Sequence, residues 1–212
     1  KARAHCEQHL LLLDVSTSMD APHYRLARAA ALALLAQLPE SALFNVALLG
    51  TAHGARLLLP RSLVASASNR QLARALLPRE LVAGMRGCAA ASALLTAEAL
   101  LQRARAADHE YDVRMYTLEH GHPPADSRQP ASDALLNVLL ISDGRLSDAE
   151  CLRQLCRRNS AHLRLFAVGV SADTSPCRDR SLGRQQLAAI ARCGGGKVEW
   201  IGSEAEAAEV AA

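Results

Sequence analysis

Residues 10–20 read "LLLLDVSTSMD": four consecutive leucines run into Asp14, and Ser16 and Ser18 follow at alternate positions. Successive side chains of a strand point to opposite faces, so an unbroken apolar run of this length implies a strand buried on both. Such strands belong to parallel sheets that helices cover from either side. The three oxygen-bearing side chains then sit where the strand ends and the chain turns, and they can converge on one point if that turn curls back.

The rest of the chain repeats the same alternation. "HYRLARAAALALLAQL" (23–38) has helix formers with apolar residues three and four apart. "LFNVALLG" (43–50) and "ARLLLP" (55–60) read as strands, and "NRQLARALL" (69–77) as a short helix stopped by Pro78. After the loop "GMRGC" (84–88), residues 90–107 return to helix. "LLNVLLISD" (135–143) and "HLRLFAVGVS" (162–171) are two further buried strands, with a helix near "DAECLRQLCRR" (148–158) between them. "GRQQLAAIARC" (183–193) is a helix ended by Gly194, Gly195 and Gly196, and "KVEWIG" (197–202) is the last strand. Strands joined by helices, with right-handed crossovers, predict a doubly wound, Rossmann-like three-layer α/β sandwich with a central, mostly parallel sheet.

The segment 107–133 breaks the rhythm with charges, adjacent prolines and little periodicity, and is expected to be a surface insertion. At 212 residues, 50% hydrophobic and only 3% aromatic, the chain suits one domain whose core is alanine and leucine. It opens on Lys1 and is read as a piece of a larger protein, so other domains of the same polypeptide are expected neighbours. A net charge of +3 from scattered arginines argues against nucleic-acid binding. No apolar run approaches the roughly 18 to 20 residues that span a bilayer. Six cysteines without CxxC spacing favour free thiols in a reducing, intracellular compartment.

In doubly wound sheets ligands bind at the carboxyl ends of the strands, where Asp14 and Asp143 both lie. One carboxylate and two hydroxyls make a hard-oxygen set suited to Mg²⁺ or Mn²⁺, but underfilled unless a second acid, Asp143, joins it. The plainer alternative makes this an ordinary strand-to-helix turn, with Asp14 or a serine capping the helix near Pro22.

Two acid-tipped apolar strands, "LLLLDVSTSM" and "VLLISDGR", resemble the von Willebrand factor type A (vWA) domain over nearly the whole chain. "LPESALFNVALLGT" and "IARCGGGKVEW" are most similar to the branch of inter-alpha-trypsin inhibitor heavy chains and other proteins with a VIT domain. The resemblance implies a metal-ion-dependent adhesion site (MIDAS). Ser16 and Ser18 would contact the cation directly, Asp14 and Asp143 directly or through water, and an acidic side chain of a protein partner would complete the shell. It implies a binding module, not an enzyme. One position departs from the pattern: where this branch carries a threonine ligand the chain reads "RGCAAAS", placing Cys88 there, or Ala89 if the loop shifts by one. A thiol suits a hard cation poorly and a methyl group is no ligand. The alternative function is therefore a scaffold whose metal site has decayed.

Enzyme readings fit less well. A phosphatase of the haloacid-dehalogenase type wants a second Asp two residues after the first, and that position is Ser16. There is no GxSxG, and no GxGxxG follows the first strand. His109, Glu119, His120 and His122 could form a metal site but read first as solvated loop residues. Cys151 and Cys156 are expected to be buried thiols, and Arg25, Arg28, Arg157 and Arg158 solvated helix faces.

Overall fold

A computed structural model of the chain describes residues 8–51, 54–81, 90–91, 94–95, 135–171 and 180–210. The strands are β1 (Gln8–Asp14), β2 (Leu43–Thr51), β3 (Gly54–Leu57), β4 (Leu63–Val64), β5 (Leu136–Ser142), β6 (Leu163–Val170) and β7 (Gly195–Ile201). The helices are α1 (Ala21–Gln37), α2 (Ala67–Leu76), α3 (Ala149–Arg158), α4 (Arg180–Cys193) and α5 (Glu204–Val210). Ala90, Ala91, Leu94 and Leu95 are also helical.

The sheet runs β3-β2-β1-β5-β6-β7, with β4 pairing β2 as well. β2, β1, β5, β6 and β7 are parallel, while β3 and β4 run antiparallel to β2 along its outer edge. This is the predicted doubly wound α/β sheet, mostly parallel, with β1 at its centre.

The four leucines explain themselves in this setting. Leu11 and Leu13 pack with Phe44, Val46, Leu48 and Ile141 under α1 and α5, while Leu10 and Leu12 pack with Leu49, Val138, Leu140 and Leu187 on the opposite face. All four are fully buried, each stabilising the fold by about 1.5–3 kcal/mol through surface removed from water. A polar residue anywhere in 10–13 would open one layer or the other.

Several details differ from expectation. The helix expected over 69–77 starts at Ala67, because Ser66 accepts a hydrogen bond from the Asn69 N–H at 3.3 Å and caps it. The glycine run after α4 opens β7 instead of only ending the helix: a Cβ at Gly196 would lie 2.2 Å from the Leu165 carbonyl oxygen, so glycine lets β7 come close beside β6. α5 was not anticipated, since "EAEAAEV" carries one buried residue, Ala207, in seven and shows no apolar stripe. Of the two helical thiols, Cys156 is buried but Cys151 is exposed, five residues round the helix. Arg28 is half-buried, and its Nε donates to the Pro78 carbonyl at 3.0 Å; Arg25, Arg157 and Arg158 are exposed as expected. The 107–133 segment, with His109, Glu119, His120 and His122, lies outside the described residues. No helix among the described residues is long and apolar enough to cross a membrane.

Candidate functional site

Adjacent parallel strands deliver the site. β1 and β5 pair in register with Leu13 beside Ile141, so the next residues, Asp14 and Ser142, meet at the strand ends and Asp143 follows. Ser142, which the sequence did not single out, donates from Oγ to Asp14 Oδ2 at 2.6 Å. The same Oγ accepts the Gly144 N–H at 2.9 Å, so one hydroxyl ties the β5 turn to the β1 acid. Its only sequence signal is a small polar residue ending an apolar strand just before Asp143.

The loop after β1 does curl back. Asp14 Oδ1 accepts the Ser16 N–H at 2.9 Å, and the Met19 N–H closes a turn on the Ser16 carbonyl at 3.1 Å. Ser16 Oγ lies 3.0 Å from Ser18 Oγ, and Ser18 Oγ donates to Asp143 Oδ1 at 3.3 Å. Either hydroxyl can donate in the shorter contact. The four predicted residues therefore form one continuous chain of polar contacts linking the tips of β1 and β5.

Asp14 is not the cap of α1, and neither serine is. Asp20 is, accepting the His23 N–H at 2.8 Å with its ring Nδ1 2.6 Å away. The helix start thus leaves the Asp14, Ser16 and Ser18 side chains for the site.

Burial is graded. Asp14, Ser142 and Ser16 are 1% exposed or less, Ser18 is half-buried, the Asp143 side chain is 7% exposed, and Arg145 is at the rim. Desolvation pushes the Asp14 carboxyl above its ordinary range; bonds from Ser142 and Ser16 pull it back in part, and the charge of Asp143 raises it further. Among the described residues no basic side chain pairs with Asp14. A cation at the strand tips would supply the missing charge. Two carboxylates and two hydroxyls suit a hard divalent ion that keeps waters, so the donor set fits the implied metal. The described residues contain no cluster of three or more His, Cys, Asp or Glu that could hold a metal, so the hydroxyls would be indispensable.

Two glycines hold the tips in place. Gly50 has φ +80°, and a Cβ there would lie 2.7 Å from the Ser16 Cα, so β2 can run beneath Ser16 only with glycine. Gly144 has φ +88°, and its Cβ would lie 2.5 Å from the Gly183 carbonyl oxygen. Cys88 and Ala89, at the departing position, lie outside the described residues. Just beyond them the Ala91 N–H donates to Asp148 Oδ2 at 2.9 Å, which anchors that helix to the start of α3.

The family model described as von Willebrand factor type A domain matches residues 8–200. Human protein mono-ADP-ribosyltransferase PARP4 is 33% identical over 70 residues, which are 33% of this chain and 4% of that protein. Among solved structures, the von Willebrand factor type A protein from Catenulispora acidiphila aligns over 98% of this chain and 41% of its own, with TM-score 0.65 and 22% identity. Manganese-loaded TRAP protein of Plasmodium vivax covers 97% of this chain and 72% of its own, with TM-score 0.58 and 13% identity. At such identities these structures share the fold. The chain spans only a small part of its curated relative and less than half of the Catenulispora protein.

Proposed function

We propose, from the premise that the chain belongs to the von Willebrand factor type A family, that it is a protein-interaction module which binds an acidic group of its partner through a divalent cation. The family often mediates protein interactions through such a site. The observation that carries the proposal is the polar chain Asp14, Ser16, Ser18, Asp143 at the tips of two neighbouring central strands. Mg²⁺ or Mn²⁺ is the cation the donors suit. When bound, it would present positive charge to an incoming carboxylate, because half of its protein donors are neutral. Asp14 would hold the deep side and keep the Ser16 loop in shape, while Ser18 and the largely buried Asp143 would complete the cradle beneath the partner. Binding explains these groups without any catalytic step, and we assign none. The ADP-ribosyl transfer in the name of the curated relative is not carried over, since the similarity covers 4% of that protein.

A second reading, a scaffold with a silent metal site, is favoured by one observation: Cys88 or Ala89 where a threonine ligand is expected. A thermal-shift or calorimetric titration with Mg²⁺ and Mn²⁺ separates the two. The wild type should be stabilised and Asp14→Ala should not. No response at millimolar metal would leave only the scaffold. Cys88→Thr should tighten the metal, and unchanged affinity would mean that the threonine position lies elsewhere. We also place the chain in the VIT-associated branch on the strength of "LPESALFNVALLGT" and "IARCGGGKVEW"; a complete polypeptide lacking a VIT domain would overturn that placement.

A further inference from the structure

Arg145 stands two residues beyond the site acid Asp143 and is tied to it only loosely. Its backbone N–H donates to Asp143 Oδ1 at 3.0 Å, but its side-chain Nε lies 3.8 Å from Asp143 Oδ2, too far for a hydrogen bond. The side chain is 42% exposed, and among the described residues its guanidinium makes no hydrogen bond. Its positive charge is also a minor contributor to the lowered pKa of Asp20 at the start of α1. A planar fork of five donors is therefore held beside the cation site with its donors unspent.

We propose that Arg145 is a second anchor for the partner, so that the site selects a segment with two neighbouring carboxylates, one met by the cation and one by the Arg145 guanidinium. This rests on the cation-binding reading above. The geometry gives the residue two opposed effects. Without a partner, the guanidinium competes with the metal for Asp143 and repels it. With a di-acidic partner, it closes a bidentate pair that lysine cannot reproduce. An ordinary rim ion pair at this distance would do neither, since such pairs contribute little.

The experiment uses the full chain as wild type, Arg145→Ala and Arg145→Lys. Mn²⁺ is titrated first by calorimetry. At saturating Mn²⁺ two blocked tetrapeptides, acetyl-Gly-Glu-Glu-Gly-amide and acetyl-Gly-Glu-Gln-Gly-amide, are then titrated by calorimetry. Arg145→Ala should bind Mn²⁺ about two- to fivefold more tightly than wild type. Wild type should prefer the di-acidic peptide by about fivefold or more, Arg145→Ala should lose that preference, and Arg145→Lys should keep only part of it. Mn²⁺ binding with no preference in the wild type, or a preference that survives in Arg145→Ala, overturns the second anchor and leaves the cation site standing. No Mn²⁺ binding by any variant overturns both.

Discussion

The tips of β1 and β5 end alike and serve differently. Each is an apolar strand closed by an aspartate, and each is supported by a glycine at positive φ, Gly50 beneath the β1 turn and Gly144 within the β5 turn. Yet Asp14 is fully buried with both oxygens occupied by Ser16 and Ser142, whereas Asp143 faces Ser18 on one side and a solvent-exposed arginine on the other. Acids at the tips of two adjacent strands therefore divide the labour. One shapes the β1 loop from inside, and the other, itself largely buried, links that loop to the exposed rim at Arg145.

The largest expected effect probes the support common to both tips. Gly50→Ala forces an L side chain to φ +80° and drives its Cβ into the backbone of Ser16. It should cost about 2 to 4 kcal/mol in chemical denaturation. A loss below about 1 kcal/mol would mean that β2 can retreat from Ser16. Gly144→Ala, pressed against the Gly183 carbonyl, should behave comparably, and a large inequality between the two would show that the tips are not equally supported.

Next comes the link between them. Ser142→Ala leaves the buried Asp14 Oδ2 and the Gly144 N–H without their shared partner, and should cost about 1 to 3 kcal/mol by thermal or denaturant unfolding. Ser18→Ala breaks the part-buried contacts to Asp143 and to the Ser16 hydroxyl and should cost about 1 kcal/mol, less than Ser142→Ala. Equal losses would erase the distinction between the fully buried acid and the one beside the rim.

The smallest effect is a dependence on pH. Burial raises the folded-state pKa of Asp14 above its unfolded value near 3.8. Its contribution is therefore fully favourable below the unfolded pKa and is lost as pH rises through the folded one. Without metal, the stability of Asp14→Asn relative to wild type should increase as pH rises from about 4 and then level off. A flat difference across that window would mean that Ser142 and Ser16 offset the desolvation completely.

Much of this was readable in the residues because two-sided burial leaves a plain signature. Runs such as Leu10–Leu13, short and alternating with longer helical patterns, suit central strands of a covered sheet, and the order of these elements then points to the layers. The oxygens of Asp14, Ser16, Ser18 and Asp143 were legible for the same reason, as polar groups interrupting apolar strands at their ends. Short or polar elements were not: β4 has two residues, and α5 rests on a single buried alanine, so neither carries enough periodicity to stand out.

By itself, then, the sequence determined the sheet, the strand tips and the chemical character of the donors, because hydrophobic periodicity and residue type are local. The pairing of Asp14 with Ser142, the capping of α1 by Asp20 and the position of Arg145 above Asp143 were decided only by tertiary structure. Each depends on the register between strands far apart in the chain or on how a turn folds back, and those are settled by packing across the whole sheet.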